Sequence, residues 1–129
     1  MTADEQRIAK LRLGEPGDGN DIPRAIRSLL LGAWHGCKPY DINNGDCEDF
    51  QQDVIAEAGL DGWWAEACTE NYPEADDAGM PGHCWIRHRG RHYDAEAPDG
   101  VEHWHDLPIF SKVLARRLRS PTPPQTPPP

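Results

Sequence analysis

The chain has no apolar run approaching about 18 residues, which excludes a membrane-spanning helix. It has no CxxC pair, which removes the repeated knuckle spacing of a structural zinc site. It has no excess of basic charge: 13 Lys and Arg stand against 22 Asp and Glu, a net charge of −9. That balance argues against a broad nucleic-acid footprint and against adsorption to anionic membranes. Apolar residues are scarce, at 37%. Five Trp, three Tyr and two Phe partly offset this, because each ring buries a large area. There is no internal repeat. The start, Met1 to Glu5, is acidic and polar, so the expectation is no secretory signal and a cytoplasmic protein. In that compartment the cysteines at 37, 47, 68 and 84 are expected reduced rather than bridged.

The 129 residues suggest one domain. We divide them into an N-terminal arm over 1–20, a folded domain over 21–119 and a Pro-rich tail over 120–129. The arm has weak helical spacing at Ile8, Leu11 and Leu13, then a Gly-rich loop over 14–20. The tail is polyproline-prone and expected to be disordered: residues 121–129 hold six of the 13 prolines.

Within the domain, Asp21 and Pro23 suit a helix start. Ala25, Ile26, Leu29, Leu30, Ala33 and Trp34 then recur at helical spacing as far as Gly36. Residues 37–45 read as a loop. Cys47, Phe50, Val54, Ile55 and Ala58 form one apolar stripe, so Asp46 to Ala58 predicts a helix stopped by Gly59. Residues 60–72 fit a strand or a short helix equally well. Residues 73–82 read as a loop. His83 to Glu96 reads as a β-hairpin turning at Arg89-Gly90, and Pro98-Asp99-Gly100 as a further turn. A last helix is expected from Ile109 to Leu118.

The chemistry of this chain centres on Cys47. A helix N-terminus and a nearby imidazolium both lower a thiol pKa and so favour the nucleophilic thiolate. Cys47 has the first feature by position, while Asp46, Glu48 and Asp49 oppose it. Activation therefore calls for a histidine from elsewhere in the fold. The alternative for Cys47 is a small buried hydrophobe. His83, which follows a loop and opens a strand, is the best partner. A two-residue turn at Arg89-Gly90 puts His83, Trp85, Asp94 and Glu96 on one face of the hairpin. Glu96 then lies opposite His83 and Asp94 on the diagonal. Either carboxylate could orient the imidazole, as the acid of a triad does.

Gly45-Asp46-Cys47-Glu48-Asp49-Phe50 resembles the nucleophile motif of the bacterial transglutaminase-like cysteine peptidases. Gly82-His83-Cys84-Trp85-Ile86 and Tyr93-Asp94 resemble the His and Asp motifs of the wider transglutaminase-like group. The resemblance covers roughly residues 44 to 96. NlpC/P60-type hydrolases carry Ser-Gly where this chain has Glu48-Asp49, and rank lower. The resemblance implies an α+β, papain-like fold, with the nucleophile-bearing helix packed on a small antiparallel sheet. It also implies Cys47 as nucleophile, His83 as base and Asp94 as orienting acid. Glu96 stays as the runner-up.

The expected chemistry is acyl transfer on a protein or peptide substrate, through a thioester and without a cofactor. The Cys47 backbone N–H would help hold the oxyanion, together with one donor among Trp34, His35, Tyr40 and Asn43. Trp85 and Trp104 are candidate cleft walls. Two other readings stay open: a zinc-binding domain using its many His and Cys, such as His103 and His105, and an inactive binding module on the same fold.

Overall fold

The computed structural model describes residues 21–119; the expected N-terminal arm and Pro-rich tail lie outside them. The described residues form a mixed α+β fold built around one four-stranded antiparallel sheet.

Helix α1, Asp21–Leu31, buries Ile22, Ala25 and Ile26. It stops earlier than the apolar spacing predicts, and the chain turns back through Gly32 to a positive-φ Gly36. The expected loop over 37–45 is largely helical. A single turn, α2, spans Pro39–Asp41, with proline in its first turn, where a missing N–H costs nothing. A π-helical turn, Ile42–Asp46, follows. The backbone breaks at Asn44 (φ −102°, ψ 18°) and Asp46 (φ −115°, ψ 18°), so regular helix restarts at Cys47. Helix α3, Cys47–Ala58, buries Phe50, Val54 and Ala58 and ends at left-handed Gly59, as its stripe and stop residue predict.

Residues 60–72 contain both alternatives. Helix α4, Gly62–Ala65, begins where the Asp61 carboxylate accepts the Trp63 N–H, and it runs into strand β1, Glu66–Cys68. A 3₁₀ turn, Thr69–Asn71, and helix α5, Pro73–Asp77, come next. The expected loop over 73–82 therefore starts as a helix, with Pro73 at its head and Glu74 and Asp76 in its first turn.

Strands β2, Cys84–His88, and β3, Arg91–Asp94, pair as Ile86↔Tyr93 and His88↔Arg91, which leaves the two-residue turn read from the sequence. Both turn residues have positive φ, 49° at Arg89 and 79° at Gly90, as the strand twist demands of a two-residue hairpin. Residues 98–100 are not a turn but part of strand β4, Ala97–Val101. β4 is an edge strand, where Pro98 is tolerated without a lost ladder bond. Gly100 belongs there for a packing reason: a Cβ would come 2.6 Å from the Tyr93 ring. Helix α6, Pro108–Arg119, closes the domain.

Alternating residues of the sheet face two cores. Ile86 and Tyr93 pack with α1 and α3 around Ile22, Ile26, Phe50 and Val54. Ala67 and Trp85 pack on the other side with Trp104, Leu107 and Phe110. Each fully buried side chain of this size contributes about 1.5–3 kcal/mol. Among the described residues no helix is long and apolar enough to cross a membrane.

Candidate active site

Cys47 is the first residue of α3, and α3 is fixed to the sheet one turn later. Gln51, almost fully buried, donates its amide to the Ala67 carbonyl (2.9 Å) and the Trp85 carbonyl (2.6 Å). The head of the helix is thereby held over β1 and β2. There the Cys84 backbone N–H donates to the Cys47 sulfur at 3.4 Å.

His83 lies just before β2. Thr69 clamps its backbone: the Thr69 hydroxyl accepts the His83 N–H (3.0 Å) and donates to the Pro81 carbonyl (2.7 Å). The Thr69 N–H donates in turn to the His83 carbonyl. The imidazole is sealed from solvent, stacked on Trp85 at 6.0 Å and met edge-on by Phe110 at 5.7 Å. Its Nε2 meets Asp94 Oδ2 at 3.0 Å. Its Nδ1 is buried without an aligned hydrogen bond, and the ring neighbours the Cys47 thiol. Thiol and ring are thus juxtaposed without a well-aligned hydrogen bond between them.

The electrostatics follow from this contact. The Cys47 thiol lies below its ordinary pKa, chiefly because His83 stabilises the thiolate, against burial and with help from the Cys84 N–H. Burial opposes a charge on His83, but Asp94 and Cys47 outweigh it and hold the imidazole above its ordinary value. Both shifts favour the thiolate–imidazolium pair. Cys84 goes the other way: burial, then its Cys47 and Cys68 neighbours, push its thiol up to about 12. Of the two adjacent thiols, Cys47 is the one whose thiolate is favoured, while Cys84 is held in its protonated form.

The structure brings Cys47, His83 and Asp94 together. It does not bring Glu96. Strand β3 ends at Asp94, and the chain turns through Ala95-Glu96 into β4, so Glu96 never stands opposite His83. Its carboxylate instead accepts from the Asn43 amide (3.0 Å) and from Lys112 (3.2 Å). Nor do the four upstream residues supply a donor near the sulfur. Trp34 donates to Asp53 at 2.8 Å, His35 is exposed, and the buried Asn43 is committed to Glu96. Tyr40 lies under Lys112, its ring centroid 4.9 Å from the ammonium. Trp85 is no cleft wall but core, 1% exposed, with its indole N–H on His92. Trp104 likewise packs in the core, its N–H on Glu74.

Sequence reasoning missed Gln51 and Thr69. A polar residue four positions after Cys47, hence on the same buried helix face, was a readable signal for Gln51. Thr69 carries none, because its role depends on the path of the chain after β1.

Cys47 and His83 open onto a cleft of about 390 Å³, also lined by Glu48, Glu70, Asp76 and Cys84. Elsewhere the rings of His103 and His105 stack 5.4 Å apart. Among the described residues no three His, Cys, Asp or Glu side chains converge to hold a metal ion. No family model, curated protein or solved structure matches the chain.

Proposed function

We propose that the protein is a cysteine-dependent amide hydrolase or acyltransferase on a papain-like, transglutaminase-like fold, acting on a protein or peptide substrate. The observation that carries this reading is the buried relay from the Asp94 carboxylate through His83 to the Cys47 sulfur. A cysteine that only filled space would call for no imidazole beside it; the Asp94 carboxylate satisfies the sealed ring at Nε2, which leaves Nδ1 as the nitrogen available to the sulfur.

Cys47 thiolate attacks the amide carbonyl, and the C–N bond breaks as the His83 imidazolium gives its Nδ1 proton to the leaving amine. The acyl group remains on sulfur as a thioester. Neutral His83 then takes a proton from water or from an acceptor amine, which attacks the thioester and frees the thiolate. Asp94 keeps Nε2 occupied, so Nδ1 is the nitrogen that exchanges the proton. The oxyanion is assigned to backbone N–H groups of the first α3 turn, since no Asp46 side chain caps them and Trp34 and Asn43 donate to Asp53 and Glu96 instead. Peptidase, deamidase and cross-linking activities share these steps and differ in the leaving and entering groups.

The test is site-resolved alkylation with iodoacetamide at neutral pH. Cys47 is expected to react ahead of the more exposed Cys37, and His83→Ala to slow Cys47 selectively. Cys47→Ala is expected to abolish amidase activity while the fold persists. A Cys47 that reacts no faster in the native protein than in urea overturns the assignment.

A further inference from the structure

We infer that the cleft at Cys47 selects a peptide bearing a cationic group, a lysine or arginine side chain or a free amine, next to the scissile amide; this rests on the thiol-enzyme reading above. The charged side chains lining the cleft are Glu48, Glu70 and Asp76, with His83 at its floor and no Lys or Arg. Three carboxylates beside a nucleophile that must become an anion work against it, since like charges raise a thiol pKa. They do nothing for the thiolate, so their place in this concavity calls for a positive partner. Cys47, half-buried and lining the same concavity, marks where the reacting group sits.

General acidity of the surface does not explain this. A second hollow of about 480 Å³ adjoins the cleft across Asn44-Gly45 and Pro81-Gly82, and its charged lining is Lys112, Arg116 and Arg119. In a chain of net charge −9, a basic hollow beside an acidic one is a sorting of charge, not an average. The sorted field draws a cation to the Cys47 side and pushes an anion away from it.

Charged thiol reagents read this field directly. Trimethylammonioethyl methanethiosulfonate and sulfonatoethyl methanethiosulfonate both transfer an alkylthio group to the thiolate, forming S–S and releasing methanesulfinate. Rates at Cys47 are measured by mass spectrometry on the full chain, with Cys37 as the internal reference. The cationic reagent is expected to be favoured at Cys47 over Cys37 by about tenfold in low salt. The triple variant Glu48→Gln, Glu70→Gln, Asp76→Asn is expected to remove most of that excess. Glu57→Gln, Glu102→Gln, Asp106→Asn, which takes the same charge from outside the cleft, is expected to keep it. Equal preference at Cys47 and Cys37, or an excess that survives the cleft triple, overturns the inference and leaves the nucleophile standing. A Cys47 inert to both reagents and to iodoacetamide sinks the nucleophile reading itself, and the inference with it.

Discussion

Asp94 serves His83 with one carboxylate oxygen and the backbone with the other. Oδ2 meets the ring Nε2 at 3.0 Å, while Oδ1 accepts the N–H groups of Glu96 and Ala97 at 2.9 Å each. The acid that orients the imidazole thereby also shapes the turn that carries the chain into β4.

This double role separates two substitutions. Asn at position 94 can still accept the two turn N–H groups but brings no negative charge. Asp94→Asn is expected to leave the melting temperature within a few degrees and to slow Cys47 alkylation at neutral pH about tenfold, the worth of one pKa unit. Asp94→Ala also orphans two N–H groups and is expected to cost a further 1–3 kcal/mol or so in urea unfolding. The alkylation rate also reports the pH limb. In the wild type it rises with pH below the ordinary thiol range, because the Cys47 pKa is lowered. The raised His83 pKa keeps the imidazolium present beyond its usual limit, so the two shifts together increase the share of the thiolate–imidazolium pair. His83→Ala is expected to move the limb up towards an ordinary thiol.

Gln51 couples α3, the helix that carries Cys47, to the sheet. Leucine fills much of the same volume but leaves the Ala67 and Trp85 carbonyls without the amide. Gln51→Leu is expected to lose about 1–3 kcal/mol of stability and to weaken the preferential alkylation of Cys47. Unchanged stability and labelling would mean that α3 docks through its apolar stripe alone.

His92 makes the fold acid-sensitive. Its ring accepts the Trp85 indole N–H on Nδ1, and burial, aided by Arg87, lowers its pKa to about 4. The unfolded ring takes a proton near its ordinary 6.5, whereas the folded ring resists until about 4. Stability from this group is therefore complete above 6.5 and falls as pH drops towards 4, by roughly 3 kcal/mol at most. His83, with a raised pKa, works in the opposite sense and softens the loss. His92→Asn, which can still accept from Trp85, is expected to flatten this part of the urea midpoint against pH; an unchanged slope would assign the acid sensitivity elsewhere.

The parts of this molecule that were legible from residues alone are those fixed by short-range pattern. Helix α3 follows from its stripe and Gly59. The β2–β3 register follows from Arg89-Gly90, since a two-residue turn leaves no freedom in pairing, and that register puts Asp94 on the face of His83. Strand length is not written in alternation. Nothing in Ala95-Glu96 signals a turn by residue type, because the turn is made by the Asp94 carboxylate behind it. Pro98-Asp99-Gly100 has the composition of a turn, yet a sheet edge accepts proline and the Tyr93 ring requires glycine. The upstream donors were chosen by nearness in sequence, which says nothing about where a side chain points after two backbone breaks.

The two short connections flanking β3 have opposite tolerance for engineering. Ala95-Glu96 hangs from the same carboxylate that steadies the imidazole, so lengthening it would draw Asp94 away from the His83 ring. Arg89-Gly90 sits at the other end of β2, about 16 Å of strand away from His83. Reporter groups, affinity peptides or a grafted loop belong there, where the chain already bends without help from any part of the relay.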